Sequence, residues 1–249
     1  MRIKIINPNT TESMTKNIQL AGQKYASSET EVFAVSPSTG PASIESYYDE
    51  YLAVPGIIEE ILKGDKVEKV DAYVIACFGD PGLYAAREIT DKPVVGIAEA
   101  AITISKFIAP NFSIVSVLDR SRKMSEEVVR MHGAVERCKS IRSTGLSVLD
   151  FDNDLDRGLN ALAQTSQKAV KEDGAESILL GCAGFVSFVD DLQRMLGVPV
   201  LDGVSPAVKL AETLVNMRCQ TSKYLTWGYP EEKEITGYSN ITRFREKQS

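Results

Sequence analysis

The chain has 249 residues, 43 % hydrophobic and 25 % charged, with 28 basic against 34 acidic side chains and a net charge of −6. That length buries enough surface to hold a core without disulfide or metal staples, the composition excludes a disordered chain, and the negative balance opposes binding to nucleic acid, whose phosphates need a positive field. The single histidine, His132, removes multi-histidine metal sites and leaves one place for a Ser-His-Asp triad.

The first ten residues reach Asn7-Pro8-Asn9 before a secretory apolar stretch forms. No later run approaches the roughly 18–20 apolar residues of a membrane span. Strands are expected at 2–6 and 31–35, with a helix at 11–27 between them and another at 43–64 after them. A strand at 71–77, a helix at 81–90, a strand at 93–96 and a helix at 98–108 follow. The cycle then repeats: strands at 112–118, 140–148, 176–182 and 198–202, helices at 119–133, 153–173, 185–196 and 204–217. Strands alternating with helices specify βαβ units and parallel sheets. The tail from about 229 is polar, with Glu231, Glu232, Lys233, Arg243, Arg245 and Lys247.

The second cycle repeats the first in detail. Val74-Ile75-Ala76-Cys77-Phe78-Gly79 matches Leu179-Leu180-Gly181-Cys182-Ala183-Gly184, and Pro93-Val94-Val95 matches Pro199-Val200-Leu201, at offsets of 105 and 106 positions. Two related α/β units in one two-lobed body are the expectation, since no Pro/Gly/Ser-rich linker separates them. In open parallel sheets ligands bind at the carboxyl ends of the strands, which is where Cys77 and Cys182 stand. Asp80 has the chemistry of an N-cap and Pro81 that of a first helical residue. A cysteine beside a helix N-terminus is expected to have its thiol pKa lowered.

Two such cysteines facing one cleft suit one kind of reaction. A thiolate removes a proton from a stereocentre, a thiol returns one to the opposite face, and configuration inverts. A neighbouring carbonyl holds the carbanion as an enolate, with amides at Phe78–Gly79 and Ala183–Gly184 stabilising its oxygen. Two thiols so placed titrate as a pair. Burial as small core residues is the competing reading of any cysteine, but packing alone gives no reason for the repetition. Cys138 and Cys219 lack that context and read as structural. The four cysteines contain no C-x-x-C pair, which weakens zinc and thioredoxin-like readings and fits a reducing, cytoplasmic setting.

The remaining signals are weaker. His132, before Gly133, reads as a helix-cap cation. Asp190-Asp191 and the group Asp150, Asp152, Asp154 and Asp156 read as loop or helix-start carboxylates. Tyr47, Tyr48 and Tyr51 read as core or interface rather than as a ligand platform. There is no G-x-G-x-x-G, P-loop or G-x-S-x-G. The triplets beginning at Asn9, Asn111 and Asn240 match the glycosylation pattern by chance.

The chain resembles the aspartate/glutamate racemase superfamily and, within it, the hydantoin/allantoin racemase family. The segments that carry the resemblance are Ile6-Asn7-Pro8-Asn9-Thr10-Thr11, Ser43-Ile44-Glu45-Ser46, Ile75-Ala76-Cys77-Phe78-Gly79-Asp80-Pro81-Gly82, Val95-Gly96-Ile97-Ala98-Glu99-Ala100, Leu180-Gly181-Cys182-Ala183-Gly184, Pro199-Val200-Leu201-Asp202-Gly203 and Thr221-Ser222-Lys223. It covers about residues 1–230, and Cys-Phe-Gly-Asp-Pro-Gly is its most specific part.

The resemblance implies two pseudosymmetric, Rossmann-like parallel-sheet α/β domains with the active site between them. It divides the chain into 1–98 plus 206–249 and 99–205. It implies Cys77 and Cys182 as the acid/base pair, no cofactor and no metal, and a homo-oligomer. Asn7, Ser43, Phe78, Gly79, Ser116, Ala183 and Gly184 map onto the family's substrate-contacting positions; Ser116 stands where relatives often carry threonine. The expected activity is inversion at C5 of a 5-substituted hydantoin, with allantoin as the alternative substrate. A cysteine-dependent decarboxylase, a cis–trans isomerase and a non-catalytic small-molecule binder are more distant readings. Two cysteines lean against decarboxylation, which needs one, and a diacid isomerase demands more cationic pocket groups than this sequence places near either cysteine.

Overall fold

The computed structural model describes residues 1–238, except the side chain of Asp152; Asn240, Arg243, Arg245 and Lys247 lie outside the described residues. Two four-stranded, all-parallel sheets carry the fold. The first has the order β2-β1-β3-β4, from Arg2–Ile6 (β1), Glu31–Val35 (β2), Ala72–Ile75 (β3) and Val94–Gly96 (β4). The second repeats the arrangement as β6-β5-β7-β8, from Phe112–Ser116 (β5), Cys138–Ser143 (β6), Ile178–Leu180 (β7) and Val200–Leu201 (β8). The central strands are almost wholly buried, Lys4 and Ser113 included, so they read as predominantly apolar runs rather than as alternation.

Helices Glu12–Tyr25 (α1), Tyr47–Lys63 (α2), Leu83–Ile89 (α3) and Ile97–Ile108 (α4) follow the strands of the first sheet. Arg122–Met131 (α5), Val148–Asn153 (α6), Leu155–Asp173 (α7), Val189–Leu196 (α8) and Val204–Asn216 (α9) belong to the second half of the chain. Helix α9 packs back onto α4, α1 and β3, placing Val204, Ala207, Val208 and Ala211 in one cluster with Ile3, Ile5, Val74 and Ile97.

Two local readings need correction. Residues 140–148 are not one strand: β6 ends at Ser143, and Val148 opens α6 behind a capping box of Ser147 with Asp150. Asp80 and Pro81 do not start α3. That helix begins at Leu83 after Gly82, whose φ of +66° favours glycine. Asp80 itself sits at φ +48° and caps a different helix, accepting from the amides of Ala98 (3.0 Å) and Glu99 (2.8 Å) at the start of α4. Its carboxylate lies so close to Gly96 that a Cβ there would overlap it. The aspartates behave as helix-start groups: Asp154 caps α7, and Asp190 and Asp191 lie in the first turn of α8. Tyr48 and Tyr51 are exposed rather than core, and Tyr47 stacks on Tyr51 at 6.4 Å. Among the described residues no helix is long and apolar enough to cross a membrane.

The halves interlock where the sheets meet. Phe78, from the loop after β3, is buried with Ala98, Ile102, Phe112, Ile114, Val128 and Leu179. Met14, from α1, is buried with Val115, Leu180 and Phe185 of the second half. Ala183, from the loop after β7, joins the cluster around the first sheet. Each cysteine loop is thus wedged against the opposite half.

Candidate active site

Both repeat cysteines follow the carboxyl end of a central strand, and both line one cavity. The void is about 570 Å³ including its mouth. Cys77, Phe78, Gly79, Ser116, Cys182 and Ala183, all expected from the sequence, face it. Asn7, Ser43 and Gly184 do not line it. Asn7 is fully buried and donates to Asn9 Oδ1 (3.0 Å) and Thr15 Oγ1 (2.9 Å), so it fixes Asn9, which does face the cavity. Ser43 is half-buried beside Ile44, which lines the wall. Gly184 lies behind Cys182; a Cβ there would stand 3.7 Å from Sγ.

The rest of the wall comes from Asn9, Met14, Ile44, Ala76, Val117, Ser121, Met124, Ser125, Val148 and Gly181, none of which the sequence singled out as site residues. Asn9, Ile44, Ala76 and Gly181 lay inside the motif segments; the others come from helices and from the bend after β5, and only the tertiary fold brings them together. The loop bearing Ile44 is tied across the cleft, because Glu45 Oε1 accepts from the amide of Val148 at 2.8 Å. Ser116 donates to the Gly181 carbonyl (3.2 Å) and Ser121 to that of Leu118 (2.8 Å). Among the described residues no charged side chain lines the cavity, and no cluster of three His, Cys, Asp or Glu has the arrangement of a metal site.

Electrostatics around Cys77 differ from the expectation of a lowered thiol. Burial pushes the Cys77 thiol up, and the charges of Cys182, Glu50 and Asp80 add to this; only the Gly79 amide, donating to the sulfur, opposes it. The helix that would have supplied a dipole starts six residues on, at Leu83, so its amides do not reach Cys77. Cys182, by contrast, occupies the cap position of a 3-10 turn over Ala183–Phe188.

Behind Gly79 lies a group of carboxyls. Burial pushes Glu50 up to about 7, with the negative charges of Glu127 and Asp80 contributing. Asp80 is also raised by burial, against the pull of His132 and the Ala98 and Glu99 amides. His132 does end α5, as expected of a cap residue, but its Nε2 also stands 3.3 Å from Asp80 Oδ2 with both side chains nearly inaccessible. That pairing has no local signature, since 52 positions separate the two residues.

Known proteins similar to this chain in sequence and fold include racemases. Residues 3–211 match the Asp/Glu/Hydantoin racemase family. A hydantoin racemase of Pseudomonas sp. (strain NS671) is 56 % identical over 237 residues, 95 % of each chain. One from Paenarthrobacter aurescens is 49 % identical over 94 % of this chain and 99 % of its own. Among solved structures, allantoin racemase from Klebsiella pneumoniae superposes with a TM-score of 0.95 at 39 % identity, over 98 % of this chain and 100 % of its own.

Proposed function

The chain belongs to the Asp/Glu/Hydantoin racemase family, and from that premise we propose that it is an isomerase, a two-cysteine hydantoin racemase that inverts C5 of 5-substituted hydantoins. The observation that carries the mechanism is that Cys77 and Cys182, from opposite halves, line one cavity whose walls hold no charged side chain among the described residues. One sulfur, as thiolate, takes the C5 proton; the other, as thiol, delivers a proton to the opposite face. The C4 carbonyl delocalises the carbanion, so the scheme calls for no cofactor. The Ala183 amide and the hydroxyl of Ser125 are at hand for the enolate oxygen; the Gly79 amide is engaged by the Cys77 sulfur. Asn9 and Ser116 offer polar contacts to the ring, with Asn7 and Ser43 supporting from behind.

Met14, Ile44, Val117, Met124 and Val148 give the wall an apolar character. That favours hydrocarbon or thioether C5 substituents over the ureido group of allantoin, which would bury several donors and acceptors without partners. In this reading the functional domains are 1–98 plus 206–249 and 99–205, with the substrate between them. The protein works as a cytoplasmic homo-oligomer; four free cysteines suit a reducing compartment, and the exposed rings of Tyr48 and Tyr51 suit an interface between copies.

The test is a panel of enantiopure 5-substituted hydantoins, with allantoin included, incubated with purified protein and EDTA in D2O. Optical rotation should fall to zero while deuterium enters C5, faster for apolar substituents than for allantoin. Absence of exchange with every hydantoin would overturn the assignment; exchange with allantoin alone would move it to the alternative substrate.

A further inference from the structure

Two carboxyl groups outside the cavity lining act on Cys77, Glu50 on α2 and Asp80 in the cysteine loop, and a third, Glu127 on α5, acts on Glu50. Glu50 is set directly against the loop. A Cβ at Gly79 would lie 3.6 Å from its Oε1, and Gly79 is the residue whose amide donates to Cys77 Sγ. Among the described residues the Glu50 carboxyl has no hydrogen-bond or ion-pair partner. The groups that face it are known on every side. Tyr47 and Tyr51 stand on its own helix, and the Tyr47 hydroxyl donates to Glu127 Oε2 at 2.8 Å. Glu127 comes from α5, and Asp80 and Cys77 from the loop. His132, at the end of α5, is directed to Asp80. The second half has no counterpart to this cluster at the matching position: where the first loop has Asp80, the second has Phe185.

We propose that Glu50 assigns the resting protons of the cysteine pair: its carboxylate behind Gly79 holds Cys77 as the thiol and leaves Cys182 as the thiolate of the free protein. The proposal rests on the two-cysteine reading above and makes Glu50 a positioning residue for charge. The pair then carries one proton. A substrate whose C5–H faces Cys182 loses that proton to the Cys182 sulfur, and the Cys77 S–H bond breaks to supply a proton to the other face of C5. The product is the mirror-image hydantoin, with Cys77 now thiolate and Cys182 thiol. The starting form is restored when a proton leaves Cys182 and another reaches Cys77, through solvent or in a turnover of the opposite sense.

The charge on Glu50 appears as pH rises through about 7, so its influence on Cys77 is absent below that pH and present above it. The test is site-resolved alkylation by iodoacetamide, read by peptide mass spectrometry, on the full chain without substrate. In the native protein at about pH 8, Cys182 should react faster than Cys77. E50Q should accelerate Cys77 roughly ten-fold at about pH 8, the equivalent of one pKa unit, and by less than about two-fold at about pH 6. Cys138, half-buried and outside the cavity, should not change. E50D, which keeps the charge, should retain the slow Cys77 reaction. Equal acceleration at both pH values would mean altered access rather than charge. That outcome, an unchanged Cys77 rate, or a native Cys77 faster than Cys182 would overturn the proposal. Because no substrate is used, these results are independent of whether hydantoins racemise.

Discussion

The two cysteine loops begin alike and are anchored by different forces. In Cys77-Phe78-Gly79-Asp80 the fourth residue is a buried carboxylate, held by two helix amides at 3.0 and 2.8 Å and faced by His132 at 3.3 Å. In Cys182-Ala183-Gly184-Phe185 it is a buried ring, 4.4 Å from Phe151 and 6.4 Å from Phe188 between centroids. A directional polar tether and a packed aromatic cluster place equivalent sulfurs at equivalent strand ends. The difference is electrostatic: the first anchor brings negative charge to its cysteine and the second brings none. An internal repeat can thus preserve position while giving two chemically identical side chains unlike environments.

The severest way to break the comparison is to remove one sulfur at a time. Cys77→Ser and Cys182→Ser should each lower racemisation in both directions by about 10³-fold or more, since a serine hydroxyl is neither base nor acid at neutral pH. Circular dichroism should stay native. Each variant should still exchange the C5 proton of one enantiomer, and the two variants should prefer opposite enantiomers, as seen by NMR in D2O. Full two-way activity in Cys77→Ser would end the idea of paired roles.

The anchors themselves come next. Phe185→Ala empties a buried aromatic cluster and should cost about 3–5 kcal/mol in urea unfolding. Asp80→Ala should cost less, about 1–2 kcal/mol: it uncaps α4, but it also relieves a carboxylate whose burial disfavours its charge. Equal losses would mean that the two loops are held by forces of the same kind.

What the sequence disclosed follows the same divide between local and long-range physics. The alternation of apolar runs and amphipathic segments placed β1 and β2 to the residue, because parallel strands of a covered sheet are predominantly apolar. The repeat itself exposed Cys77 and Cys182. Asp80-Pro81 satisfied every local rule for a helix start, yet its carboxylate serves amides 18 and 19 positions on, and no window of sequence reports that. The start of α6 was legible in Ser147 and Asp150, a capping box overshadowed by the apolar Val148-Leu149. The wall residues Met14, Ile44, Met124 and Val148 come from four separate segments and share only a place in space. For Cys77 the thiol expectation failed because desolvation is a property of the folded surroundings, whereas the helix-dipole argument was drawn from neighbours in sequence.

The smallest expected effect sharpens the contrast through pH. The Glu50 carboxyl is raised from 4.5 to about 7, so the folded state disfavours its charge relative to the unfolded chain. The cost is absent below about pH 4.5, grows between there and about 7, and is complete above. Since this carboxyl is only partly buried, water screens most of the penalty, and about 1 kcal/mol remains. E50Q should therefore be more stable than the native chain by about 1 kcal/mol at about pH 8, or ~2–4 °C in Tm, and no different at about pH 4. In the second half Asp173 has the opposite sign. Hydrogen bonds from Arg142 pull it down to about 2, so its ion pair stabilises above the ordinary carboxylate range and is lost as pH falls through about 2. Asp173→Asn should lower Tm at about pH 8, where E50Q raises it. If E50Q left Tm unchanged at both pH values, Glu50 would be as well hydrated as a surface carboxylate, and the electrostatic difference between the two cysteine loops would lose one of its sources.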